Sequence, residues 1–195
     1  MPILTGVIAS SISGHLWAPT GAYESLATAT GTGSSGTITF SSIPSTYTHL
    51  QLRWIAQSSR ATYADDDFNI RFNSDSGSNY AWHNMWGNGA GAFAGASTSQ
   101  TLIVCRNGAG STAISTTMGV GVLDILDYTS TNKYKTTRFL GGDDVNGTVA
   151  GYGGNAVLAS GLWMNSANAI SSISITNGSA TNWTALTSIA LYGIK

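Results

Sequence analysis

Apolar side chains recur along this chain with a period of two. Between residues 49 and 57, Leu50, Leu52, Trp54 and Ala56 point one way and His49, Gln51 and Arg53 the other. Between 67 and 73, Phe68, Ile70 and Phe72 share a face, with Asn69, Arg71 and Asn73 opposite. Ile38 with Phe40, Ile173 with Ile175, and Ile189 with Leu191 keep the same rhythm, and Gly193 stands where a bulge or strand end is expected. Such alternation predicts strands with one face on a core. Two further runs, 101–105 and 120–128, are apolar almost throughout and read as central strands or strands at an interface. No window carries the stripe of an amphipathic helix.

Between these segments lie clusters of Gly, Asn, Ser and Asp at 31–36, 74–79, 87–91, 106–111, 141–147 and 176–182. Their glycines and Asn-Gly pairs suit tight turns that need positive φ. The glycine-rich stretches 89–95 and 151–154 precede no strand-to-helix step that would aim amides at a phosphate, so they too read as loops. Strands and turns in this succession predict an all-β protein, an antiparallel β-sandwich, in its jelly-roll form. Residues 1–20 are apolar without clear alternation, and Pro19 and Gly21 mark a boundary after them. They are expected to form an N-terminal arm that docks on a neighbouring subunit or partner, or else the first strand of the sandwich. Residues 21–195 are expected to form one domain.

Composition narrows the possibilities. The chain has 195 residues, enough to bury a core without disulfide or metal staples. Ser and Thr supply 50 residues and Gly 24, a mixture poor in helix formers. A net charge of −1 with no basic run argues against nucleic acid as a partner. No apolar run approaches the ~20 residues of a membrane-spanning helix. The N-terminus has no Lys or Arg ahead of its apolar residues and does not read as a signal peptide. With only 9% of residues charged, exposed edges and apolar patches must be hidden some other way, and oligomer formation does this. Cys105 is the single cysteine, so no disulfide framework or thiolate metal site is expected, and it reads as a small buried hydrophobe.

Candidate chemistry is sparse. Asp65, Asp66 and Asp67 are adjacent; in a strand they alternate faces, whereas in a loop they could converge on Ca²⁺. They lack EF-hand spacing and fit equally a solvated acidic loop that discourages edge pairing. Asp67 with Asp75, or Asp124 with Asp127, could be written as a glycosidase pair, the latter with carboxyl pKa values raised by apolar neighbours. His15, His49 and His83 show no metal-binding spacing. Tyr80, Trp82 and Trp86, with Phe93, are either strand residues facing a core or interface, or a platform on which sugar rings pack. No cofactor is implied, and no residue is assigned a catalytic role.

The stretch that runs from Phe72 through Asn73, Asp75, Gly77 and Asn79 to Tyr80 resembles a pattern in structural proteins of tailed bacteriophages, particularly those infecting cyanobacteria and other aquatic hosts. Segments 23–53 and 186–195 resemble the same proteins, in the same order. The resemblance implies a virion component without enzymatic activity: a capsid decoration (cement) or fibre protein, or a tail or receptor-binding protein that carries a glycan site. Expected partners are copies of itself, most readily in trimers, other virion proteins such as the major capsid or tail proteins, and in the second case a host surface glycan. Physically the motif reads as a rigid turn. Asn73 and Asp75 bond backbone amides one or two residues on, Gly77 adopts a geometry other residues resist, Asn79 caps the turn, and Tyr80 re-enters the sheet.

Overall fold

The computed structural model describes residues 21–61, 65–111, 117–149 and 152–195; the expected arm at 1–20 lies outside them. The described residues form twelve strands and no helix. In chain order these are β1 (Tyr23–Thr30), β2 (Thr37–Phe40), β3 (His49–Ser58), β4 (Asp65–Phe72), β5 (Tyr80–Gly87), β6 (Ala92–Gln100), β7 (Ile103–Ser111), β8 (Gly119–Ile125), β9 (Lys135–Val149), β10 (Tyr152–Trp163), β11 (Ile173–Asn177) and β12 (Ser188–Ile194).

The strands divide into two antiparallel sheets. The larger runs β1-β12-β3-β8-β9-β10-β5-β6. The smaller runs β2-β11-β4-β7. A short parallel bridge joins them where Gln57 and Ser58 of β3 meet Gly110 and Ser111 of β7. The two sheets close on a common core as a β-sandwich. A jelly roll distributes eight strands over two Greek keys; here the strands divide eight and four, so the sandwich, rather than the jelly roll in particular, is what this fold shares with the expectation.

The alternating positions do what their period requires. Leu50, Leu52, Trp54 and Ala56 of β3 and Phe68, Ile70 and Phe72 of β4 are buried in the core, with Ile38, Phe40, Ile173, Ile175, Ile189 and Leu191. At the centre, three rings stack across the gap between sheets. Trp54 lies parallel to Phe68 of the smaller sheet, with centroids 3.8 Å apart, and to Phe139 of β9 at 5.2 Å. Gly121 and Gly141 are cross-strand partners beneath these rings. A Cβ on Gly121 would stand 2.3 Å from the Trp54 ring, and one on Gly141 2.4 Å from Phe139. Cys105 is buried as expected, and burial, followed by the charge of Asp67, pushes its thiol pKa well up.

Several segments expected to be turns are strands. Residues 106–111 belong to β7 and 141–147 to β9; Gly153 and Gly154 fall in β10, and 92–95 in β6. In each case backbone pairing to neighbouring strands overrides glycine's turn preference. Gly110, for example, pairs with Asp65 on one side and Gln57 on the other.

Candidate functional site

The residues singled out in the sequence fall into three places. The first is the turn between β4 and β5. Asp75 accepts hydrogen bonds from the Gly77 amide at 2.9 Å, from Asn79 Nδ2 at 3.0 Å and from the Trp163 indole at 2.8 Å. Burial pushes its carboxyl pKa upward, but the donors, led by Trp163 and then Asn79 and Gly77, outweigh that and hold it below the ordinary value. Contrary to expectation, the Asn73 side chain bonds the far β10–β11 connection and not amides one or two residues on. Its Oδ1 accepts from the Ser171 and Ser172 amides at 2.8 and 3.1 Å, and its Nδ2 donates to the Ala169 carbonyl at 2.7 Å. Positive φ falls on Asn73 and Ser74, at 50° and 55°, and not on Gly77. A Cβ at Gly77 would lie 2.8 Å from Asn79 Nδ2 and 3.1 Å from Asp75 Oδ1, so a side chain there would push the Asn79 amide away from the Asp75 carboxylate. Tyr80 opens β5 and is fully buried. Its hydroxyl accepts from the Phe72 amide and donates to the Phe72 carbonyl. This motif is a rigid architectural corner.

The second place is the start of β4. Asp66 is buried, and its carboxylate accepts from the hydroxyls of Ser58 and Ser179, from the Ser179 amide at 3.0 Å and from the Asp67 amide at 2.9 Å. Asp65 turns toward Arg60, which also donates to the Asp65 carbonyl. The Asp67 carbonyl accepts from the Gly178 amide. The triplet thus fastens β4 to the β11–β12 connection. Among the described residues, no three His, Cys, Asp or Glu side chains gather in a way that could hold a metal ion.

The aromatic platform is only partly available. Tyr80 belongs to the core and lies out of reach of a ligand. Trp82 and Trp86 are half-buried against the core. Trp86 stacks on Phe93 with centroids 5.4 Å apart, and Phe93 remains 44% exposed. Asp124 and Asp127 do not have the raised pKa values proposed for a catalytic pair. Burial pushes Asp124 up, but Gln51 Nε2 at 2.7 Å and Arg138 at 2.9 Å pull it below the ordinary value. Lys133 beside Asp127 lowers that carboxyl too. Both are fixed as ion-pair partners.

The third place, which sequence reasoning only touched, is the outward face of the larger sheet. Cross-strand register builds it in three rows. The first row runs Gln51, Asp124, Arg138, Ser160, His83, Ala96; the next Arg53, Val122, Leu140, Leu158, Met85, Ala94; the third Ile55, Val120, Gly142, Ala156, Gly87, Ala92. Leu140 is 65% and Met85 62% exposed, and Ile55, Val120, Val122 and Leu158 are exposed as well. Shallow grooves lined by Leu140, Leu158 and Met85 cross the face. The polar row is tied together, with Arg53 donating to Gln51, Gln51 to Asp124 and Arg138 to Asp124. Arg53 is further clamped between the rings of Tyr23 and Tyr192. This face is therefore apolar along two of its rows and bordered on one side by paired charges of both signs. A contiguous apolar face of this kind marks an interaction surface on a folded protein. The signal in the sequence was the double-sided apolar run 120–128. Leu140, Leu158 and Met85 are far apart in the sequence, and only register gathers them.

No protein-family model matches the chain, and no curated protein matches it. Among solved structures, a lectin from Bauhinia forficata in complex with GalNAc aligns over 79% of this chain and 76% of its own, at 12% identity and a TM-score of 0.16. A likeness that slight carries no argument about ligand or fold.

Proposed function

We propose that this chain is a non-enzymatic structural component of a bacteriophage virion, a capsid decoration (cement) or fibre protein that acts by adhesion. The observation that carries the adhesive part is the exposed apolar face centred on Leu140 and Leu158 of the larger sheet. Contiguous apolar faces of this kind often mark surfaces that a partner covers. The virion assignment is supported by the sequence resemblance around Phe72–Tyr80. A cement protein adds interface between shell subunits and stabilises the shell by binding its assembled state. Quantitative mass spectrometry of purified particles tests the assignment. Presence at copy numbers comparable to shell subunits supports a decoration role, a low fixed copy number supports a fibre, and absence from particles overturns both.

A second reading, a tail or receptor-binding protein that holds a host glycan, has one observation in its favour. The stacked pair Trp86 and Phe93 at the end of the β5–β6 hairpin leaves an aromatic ring open to solvent, and such rings bind sugar faces at low entropic cost. Binding on a glycan array that disappears in Trp86→Ala, with the fold retained, supports this reading; an array without signal removes it.

A further inference from the structure

We infer that the outward face of the larger sheet is covered by the same face of a second copy, related by a two-fold axis that lies parallel to the strands, between β9 and β10. The inference rests on reading that face as adhesive, and it names the partner. Two faces that meet under a two-fold must be self-complementary. The register allows this to be checked row by row.

With the axis between β9 and β10, β9 lies over β10 of the partner, β8 over β5, and β3 over β6. Positions along the strands are preserved, so each row meets itself in reverse order. In the middle row, Leu140 faces Leu158 and Val122 faces Met85. In the third row, Ile55 faces Ala92 and Val120 faces Gly87, so the bulky half of the row fits over the small half. In the polar row, Arg138 faces Ser160 and the Asp124 carboxylate faces the His83 imidazole. A two-fold perpendicular to the strands would instead lay Gln51, Asp124 and Arg138 over Ile55, Val120 and Gly142, burying a charged pair against apolar side chains at a cost that association does not return. Sheet twist separates the outermost pairs when sheets pack aligned. The four leucines nearest the axis therefore carry the contact.

Size and charge also bear on the second copy. Six strands at about 4.8 Å and five residues at about 3.4 Å make a face of roughly 29 by 17 Å, or about 500 Å² in projection. That is below the ~800 Å² that a standard interface takes from each partner, so the pair belongs with the small, concentration-dependent interfaces. A chain of net charge −1 offers little like-charge repulsion to its own copy. Pairs, and not the trimers expected from the sequence, are the state this face favours.

Sedimentation of the full chain over a wide concentration range provides the test. The expected result is a species of twice 20.1 kDa that falls to the monomer in Leu140→Lys, with an unchanged strand spectrum. A second measurement does not depend on that variant folding. Val122→Cys and Met85→Cys chains, mixed under mild oxidation, should form the mixed disulfide well ahead of either self-disulfide, and buried Cys105 stays out of the exchange. A wild-type monomer, a trimer, or self-disulfides that match the mixed one overturn the pairing, whatever purified particles contain. A protein that pairs as described but is absent from particles leaves the pairing standing and removes only the virion role.

Discussion

Strands β8, β9 and β10 carry apolar side chains on both faces, and the two faces behave differently. Inward, Leu123, Phe139 and Val157 are buried in one core with Trp54 and Phe68. Outward, on the same strands, Val122, Leu140 and Leu158 stand in solvent. The inner set is interlocked: rings lie parallel at van der Waals distance over glycines that leave space for them. The outer set forms an open relief, with large side chains across its middle row and, in the row beside it, bulky positions on β3 and β8 and small ones on β9, β10, β5 and β6. One face has found its partner within the chain, and the other is shaped for a partner outside it. Apolar character alone does not separate core from interface; whether the chain's own second sheet reaches a face does.

Neighbouring positions on one strand test this contrast most sharply. Phe139→Ala opens the ring stack and is expected to cost about 3–5 kcal/mol in urea unfolding, whereas Leu140→Ala, one residue along, leaves monomer stability within about 0.5 kcal/mol. Equal losses at the two positions would show that the outer face already packs within the monomer. Next in size, Gly121→Ala places a methyl against the Trp54 ring and should destabilise by about 1–3 kcal/mol, although alanine normally suits a strand better than glycine. An unchanged midpoint would mean the rings shift freely. Tyr80→Phe removes the hydroxyl's bonds to both backbone groups of Phe72 and should cost about 1–2 kcal/mol at neutral pH. Its pH dependence has a definite sign. Burial is the main cause that raises the Tyr80 phenol from 10.0 to about 12. The stability tied to the neutral phenol is whole below pH 10 and is lost as pH rises through 12. The phenylalanine variant, with no proton to lose, should show a shallower decline over that window, and an identical alkaline limb would contradict the burial. The smallest effect is expected from Leu158→Ser on the outer face, with the stability of the dissociated monomer, measured at dilution, within about 0.5 kcal/mol of the wild-type monomer and the pair weakened; a large loss of monomer stability there would erase the distinction between the faces.

Much of the sandwich is legible in the chain. The period-two segments around Leu50–Ala56 and Phe68–Phe72 became β3 and β4, because alternation and one-sided burial are the same fact stated twice. β9 and β10 were not legible. Their glycines read as turn residues, yet Gly141 sits mid-strand so that the Phe139 ring can lie over it, a reason that exists only after the sheet has formed. The turn at 73–80 was legible as a corner but not in its bonds. Asp75 bonds the Gly77 amide as expected but also takes the distant Trp163 indole, and Asn73 reaches the β10–β11 connection; nothing in the local sequence specifies those distant partners. The outer face was legible only at 120–128, because its other members are scattered singly along β5, β9 and β10. For Tyr80 and Trp82 the sequence left core and binding platform both open, and the structure places Tyr80 in the core and Trp82 half-buried against it.

The paired glycines at 121 and 141 have a consequence for descent. Each fills with backbone the floor on which a six-membered ring rests; a side chain gained at 121 must coincide with smaller residues at 54 and 139, whereas one gained at 141 would also stand 2.5 Å from the Val120 carbonyl oxygen, which no change of ring relieves. In any lineage that inherits this sandwich, 141 should stay glycine, and 54, 121 and 139 should change together or stay fixed, their joint history written as linked substitutions rather than independent ones.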